Sequence, residues 1–193
     1  MMGSAYLTDP LVFLIQIIFG SYALVVLLRF LLQLFRADFH NPISQFVVKV
    51  TSPVLKPMRR FIPGVSGMDI SSLVLAWLVK SLELALTLLV TGVGGQFLSA
   101  FLWSLPELIA LAINLFLIAI FIQVILSWVG TGGYNPAASL LYSLTEPLLG
   151  PARRIIPPLG GLDLSPMLVI VGLVLLKMLL LPPIQVLLGS PFR

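Results

Sequence analysis

The chain has no cysteine, a single histidine and only 9% charged residues among 193. Without cysteine there are no disulfides, Fe–S clusters, thiolate metal sites or covalently attached haem. His40 alone offers no zinc or haem ligand set. No serine sits near a base that would activate it, and the glycines of 92–95 open no helix after a strand, so they form no phosphate cradle. The basic residues are too sparse for a nucleic-acid face. These absences point away from an enzyme, a bound cofactor and a nucleic-acid partner.

What remains is lipid-like. Hydrophobic residues make up 59% of the chain and the mean hydropathy is +1.13, far from the soluble average. Four apolar stretches, about 11–35, 70–91, 107–129 and 166–188, approach or exceed the roughly 20 residues needed to cross a bilayer core. The first has no Lys or Arg ahead of it and is too long for a signal-peptide core, so it is expected to stay in the mature protein. Segments 36–69 and 130–165 hold Arg36, Lys49, Lys56, Arg59, Arg60, Arg153 and Arg154, and the other side holds only Arg193. This asymmetry predicts cytoplasmic long loops and outward termini, in a multi-pass protein of a bacterial inner membrane. The aromatics Phe97, Phe101 and Trp103 of the loop 92–106 read as an anchor at the outer interface.

The chain also repeats itself. Residues 41–71 align without a gap on 135–165 at an offset of 94, with 13 identities in 31 positions. Asn41-Pro42, Thr51, Pro53, Leu55, Pro57, Arg59-Arg60, Ile62-Pro63, Gly67, Asp69 and Ser71 recur as Asn135-Pro136, Thr145, Pro147, Leu149, Pro151, Arg153-Arg154, Ile156-Pro157, Gly161, Asp163 and Ser165. The units are 1–94 and 95–193. Two spans per unit return the chain to its starting side, so the copies run parallel, and a pseudo-two-fold along the membrane normal is expected. The fold class is therefore an all-α membrane protein of four transmembrane helices, in two parallel tandem repeats.

Between the spans of each unit, about 42–62 and about 136–156, apolar residues recur at helical spacing. An amphipathic interfacial helix is expected in each, kinked near the Thr-x-Pro, with Lys49, Lys56 and the Arg pairs toward headgroups. It serves as a connector, as a platform for anionic phospholipid or a partner, or as a re-entrant segment. Ser71 and Ser165 suit N-caps of the following spans. Asp69 and Asp163 lie within reach of the preceding arginines across the turn, as a structural clamp or, alternatively, part of a cation site. Glu146 offers a second acid in copy two, where copy one has Ser52.

The pattern Asn-Pro, then Thr-Glu-Pro-Leu-Leu-x-Pro-x-Arg-Arg-Ile-Ile-Pro, then Gly-x-Asp-x-Ser-Pro resembles the YggT family, called YlmG in some lineages, and covers both copies. Copy one departs at Ser52, where the family has Glu, and at Ser72, where Pro is usual. The resemblance implies a small bacterial inner-membrane protein with relatives in plastids. It also implies links to osmotic and ion homeostasis, to division or nucleoid organisation, and to membrane-complex assembly.

Charges inside the spans complete the set. Arg29, near the end of span one, is expected to snorkel to the headgroups. Glu83 and Lys177 are 94 apart and both about 18 Å deep. They form a midplane ion pair if spans two and four face each other; Lys80 is the competing partner of Glu83, and a proton or ion path is the third possibility. Gln123 is the counterpart of Arg29 and, with Asn114 and Gln16, would line a polar seam or stitch helices together. Two functions follow: a scaffold or assembly factor acting on anionic lipid and another membrane protein or its own copies, or an oligomeric ion-conducting or ion-regulating element.

Overall fold

The computed structural model of the chain describes residues 3–64, 67–92, 97–129, 135–156 and 163–190. Six α-helices appear in the order long, short, long, twice over: α1 Gly3–Leu34, α2 Pro42–Phe61, α3 Ile70–Val90, α4 Phe97–Val129, α5 Pro136–Ile155 and α6 Ser165–Leu187. The four long helices have the length and apolar character of membrane spans. The unit boundary at 94/95, Gly161 and most of the turn before Asp163 lie outside the described residues, as do the glycines of 92–95 apart from Gly92.

The prolines do not end the helices that contain them. α2 is one continuous helix through Pro53 and Pro57. α4 begins at Phe97, ten residues before the expected start of its span, and runs through Pro106, so the aromatics expected in an outer loop are helical. In both helices polar side chains supply donors to carbonyls in the turn before the proline. Thr51 and Ser52 donate to the carbonyls of Val47 and Val48. Ser104 and the Trp77 indole, each at 2.9 Å, donate to Phe101. Each proline frees the carbonyl four residues earlier, of Lys49, Pro53 and Leu102, and these side-chain donors bond carbonyls in the adjacent turn, a setting in which a helix tolerates proline. Trp103, expected as a surface anchor, is 6% exposed and donates to the Leu188 carbonyl at 2.8 Å.

The short helices start alike. Asn41 and Asn135 cap them, each accepting an amide proton at 2.9 Å from two residues on, and a proline follows at the first helical position. Asn41 also donates to the Pro136 carbonyl at 2.7 Å, joining the starts of α2 and α5. Both short helices therefore lie at one end of the bundle, and the two repeats run parallel.

The repeats are not related by a closed two-fold. α1 packs on α3, α3 on α4 and α4 on α6, whereas among the described residues neither α1 nor α3 touches α6. The spans form a row, bent so that the α1 end also meets α4, Phe35 edge-on to Phe116. A two-fold that carries α3 against α4 would also carry α6 against α1; the observed join is instead heterologous, head to tail. Its adhesive is polar and aromatic: Ser81 and Ser104 hydroxyls lie 2.7 Å apart, and Trp77 meets Phe101 edge-on. The equivalent positions on α6 are Val171 and Leu175, 48% and 52% exposed, which present only aliphatic surface where the row ends.

The core centres on the α1–α3 contact, around Ala23, Val26, Leu27, Leu75, Ala76 and Val79, with Leu55 beneath and Leu115 and Ala119 of α4 beside it. Gly20, Ala23 and Ala76 let these two helices approach closely. Their counterparts Asn114, Leu117 and Ile170 are larger, and α4 and α6 pack less closely.

Candidate functional site

The end of the bundle that carries α2 and α5 holds two versions of one ionic cluster. In repeat 1, Asp69 caps α3 and is 3% exposed. It accepts a close hydrogen bond from Arg59, another from the Ser72 hydroxyl at 2.6 Å, and has the Arg29 Nε at 3.9 Å. Arg29 does not snorkel to the surface. It is 6% exposed, and its guanidinium donates to Thr51 at 2.6 Å and to the Val48 carbonyl at 3.1 Å, pinning α2 onto α1. The sequence places Arg29 one turn and a half before the end of an apolar run; only packing shows that a polar notch on α2 lies nearer than the headgroups.

In repeat 2, Asp163 accepts from Arg153 Nε at 3.0 Å and from the Ser165 amide at 2.9 Å, and Arg153 also reaches Glu146 at 2.6 Å. Gln123 stands in place of Arg29 and accepts a close hydrogen bond from Thr145, the counterpart of Thr51. Both copies thus keep the Arg–Asp contact across ten residues and the bond from a span to the short helix's Thr. They differ in the third charge, a cation from α1 in repeat 1 and an anion from α5 in repeat 2. Glu146 lies over Gly150, where a Cβ would come within 3.2 Å of its carboxylate; repeat 1 has Lys at that position and Ser52 for the acid.

Burial pushes the Asp69 carboxyl up, but the hydrogen bonds from Arg59 and Ser72 and the Arg59 charge outweigh it and hold Asp69 below the ordinary aspartate range. Asp163 is likewise lowered: burial opposes, and Ser165 and Arg153 prevail. Arg153 is raised, first by its bond to Asp163, against burial and with help from Glu146.

The serines do not cap the spans as expected. Asp69 takes the α3 cap, and in repeat 2 Asp163 accepts from the first amide of α6. A carboxylate is the stronger acceptor at a helix N-terminus. Ser71 instead donates to the Ile62 carbonyl at 2.6 Å, holding the end of α2 against α3, and Ser165 is buried. The Arg pairs divide their labour. Arg59 and Arg153 are engaged by aspartates, whereas Arg60 and Arg154, like Lys49 and Lys56, are exposed.

Within the spans, Glu83 and Lys177 do not pair. Glu83 binds Lys80 at 2.7 Å along α3, and Lys177 donates to Asn114 at 2.9 Å across α4 and α6. The row of helices keeps α3 from α6, so equal depth does not bring these charges together. Asn114 is the counterpart of Gly20, whose bare Cα faces Glu83, with a notional Cβ 3.6 Å from Glu83 Oε2. That oxygen is buried without a hydrogen-bond partner. A small cavity of about 130 Å³ adjoins, lined by Gln16, Lys80, Glu83, Thr87 and Glu107. Gln16, Asn114 and Gln123 therefore form no common seam. Glu107 escaped the sequence reading because it marked the expected start of a span, where a charge is unremarkable; Thr51 and Thr145 were visible as a repeated match whose partner was not.

A larger cleft of about 740 Å³ opens between α4 and α6 over α5, with apolar walls that include Val124, Met167, Ile170 and Val171 and a polar end of Gln123, Ser127, Arg153 and Asp163. Among the described residues no group of three or more His, Cys, Asp or Glu could hold a metal ion.

A family model described as CCB3/YggT matches the chain twice, over residues 8–90 and 102–184. An uncharacterized protein of Pseudomonas aeruginosa PAO1 is 45% identical over 187 residues, covering 96% of this chain and 95% of that one. The uncharacterized protein YggT of Escherichia coli K12 is 38% identical over 172 residues, 88% of each chain. An uncharacterized Vibrio alginolyticus protein from the proC 3′ region is 44% identical over 163 residues, 83% of this chain and 88% of that one. No solved structure matches the chain. The two matches of the family model and the near full-length relatives place this protein in the CCB3/YggT family, with one family unit in each half.

Proposed function

We propose that the protein is a non-enzymatic scaffold or assembly factor of a bacterial inner membrane. In this reading α2 and α5 lie as amphipathic helices in the cytoplasmic leaflet, both termini face outward, and the exposed basic side chains grip anionic phospholipid and hold another membrane protein or a further copy. The observation that carries it is the sorting of α2 onto three faces. Ser44, Val47, Thr51 and Leu55 are buried against the bundle; Phe46, Val50, Val54 and Phe61 are apolar and exposed; Lys49, Lys56 and Arg60 are basic and exposed. A helix with one face toward the bundle, one apolar and one basic suits the membrane–water boundary. The charge asymmetry between the two sides of the bundle supports the orientation.

The test replaces Lys49, Lys56, Arg60 and Arg154 with Gln, leaving the Asp-bound Arg59 and Arg153 intact. Each surface charge contributes about 1 kcal/mol to binding an anionic leaflet, screened by salt. Phosphatidylglycerol and cardiolipin retention should fall steeply with the melting temperature unchanged; unchanged retention would sink the platform.

One observation favours a second reading, an oligomeric ion-conducting or ion-regulating protein. The small cavity beside Lys80, Glu83 and Glu107 holds two acids and one base inside the spans, and Glu83 has an unpartnered oxygen. Ion flux in proteoliposomes that is abolished by Glu83→Gln would favour it over the scaffold.

A further inference from the structure

Repeat 1 brings its own cation to the ionic cluster and repeat 2 does not. The Arg29 guanidinium fills the space between α1, α2 and Asp69, giving that cluster two guanidiniums to one carboxylate. At the equivalent place Gln123 is neutral and turned to Thr145, and Arg153 faces two carboxylates, Asp163 and Glu146. The same exchange leaves room. With Arg29 replaced by Gln and Ala76 by Ile170, α4 and α6 stand apart where α1 and α3 close, and the cleft of about 740 Å³ lies between them.

The cleft's chemistry runs from polar to apolar. Asp163, with a side chain 35% exposed, stands at its polar end beside Arg153. From there the walls continue along α6 through Met167 to Val171, about 12 Å deeper at the rise of an α-helix. Met167 and Val171 are 69% and 48% exposed, so the cleft is open to the bilayer on that side. Its volume falls in the range of small-molecule sites, lined by apolar groups with a few polar ones at one end.

We propose that this cleft binds one phospholipid whose headgroup carries a primary ammonium, of the phosphatidylethanolamine class, with the ammonium on Asp163 where repeat 1 has a guanidinium, and part of an acyl chain along Val124, Met167 and Val171. The polar end of the cleft carries one carboxylate, Asp163, and one guanidinium, Arg153, so it suits a headgroup that itself bears an ammonium and a phosphate over one of net negative charge. An ammonium with N–H groups makes charge-assisted hydrogen bonds to carboxylate, which a quaternary ammonium lacks. The site differs in place and in charge from the basic platform of α2 and α5.

The intact protein, stripped of lipid in mild detergent, is offered phosphatidylethanolamine, phosphatidylcholine or phosphatidylglycerol, and retained lipid is counted by native mass spectrometry. One phosphatidylethanolamine per chain should be retained about tenfold better than either of the others, the size of one charge-assisted hydrogen bond. Gln123→Arg, which copies repeat 1 and supplies an internal cation, should reduce that retention about tenfold. Val171→Trp, which fills the apolar wall without changing charge, should reduce it as well and decides the matter if Gln123→Arg fails to fold. The four-fold Gln variant of the platform should leave it unchanged, which separates the two proposals. Equal retention of phosphatidylglycerol or phosphatidylcholine, or phosphatidylethanolamine retention unmoved in the folded variants, overturns the assignment.

Discussion

Asp69 and Asp163 occupy equivalent positions, each bound to an arginine ten residues earlier, yet one is 3% exposed between three helices and the other has a side chain 35% exposed at the mouth of a cleft. The difference comes from their neighbours. Repeat 1 has Arg29 with Ser52, and repeat 2 has Gln123 with Glu146; the third charge of the cluster has changed both sign and helix while the Arg–Asp contact persists. Gly20, Ala23 and Ala76 let α1 and α3 close over the first cluster, and larger residues hold α4 and α6 away from the second. Duplication preserved the tie between short helix and span. The packing around that tie diverged into a sealed structural centre and an open one.

The comparison breaks most sharply at the aspartates. Asp69→Asn leaves the buried Arg29 and the partly exposed Arg59 facing a neutral amide and should cost about 3 kcal/mol of stability. Asp163→Asn, at a partly solvated cluster, should cost about 1 kcal/mol or less. Melting temperatures of both variants in the same detergent measure the gap, and equal losses would erase the distinction between sealed and open clusters. Because both carboxyls titrate below the ordinary range, their contribution is complete above the unfolded aspartate value of about 4 and is lost as pH falls through the lower folded value. Acid melting curves of Asp69→Asn should therefore lose most of this limb.

Next in size is the intramembrane pair. A double-mutant cycle with Lys80→Met and Glu83→Gln should show a coupling of about 1–3 kcal/mol, whereas Glu83→Gln with Lys177→Met should be additive within about 0.5 kcal/mol. Coupling between Glu83 and Lys177 would contradict the row of helices and restore a two-fold bundle.

The smallest effect tests whether repeat 1 will accept a feature of repeat 2. Gly20→Asn copies Asn114, and its Cβ would meet Glu83 Oε2 at an ordinary contact distance of 3.6 Å. A donor for that orphaned oxygen, together with removal of a helical glycine, should raise stability by about 1 kcal/mol. A drop in melting temperature instead would show that α1 and α3 need the close approach at Gly20 more than the carboxylate needs a partner.

Much of the fold was legible before any coordinates. Length and apolarity marked four spans, the offset of 94 marked the duplication, and apolar residues at helical spacing marked the two short helices, because these signals are local and repeated. The Arg–Asp contact was within reach of spacing alone. The helical reach of α4 was not, since Pro106 and Glu107 read as a boundary, and the bond from the Trp77 indole to the Phe101 carbonyl is visible only once α3 and α4 are packed.

By itself the sequence determined the class of protein, the two equivalent units and the list of polar groups that lipid cannot satisfy. An offset in a sequence names equivalent positions without naming the operation that relates them. Only the tertiary structure decided that the units join head to tail, that Arg29 turns inward to Thr51, that Lys177 meets Asn114 rather than Glu83, and that repeat 2 stays open. In a bilayer apolar faces gain little by choosing one another over lipid, so the choice of neighbours falls to small residues, buried hydroxyls and paired charges, whose effects depend on partners distant along the chain.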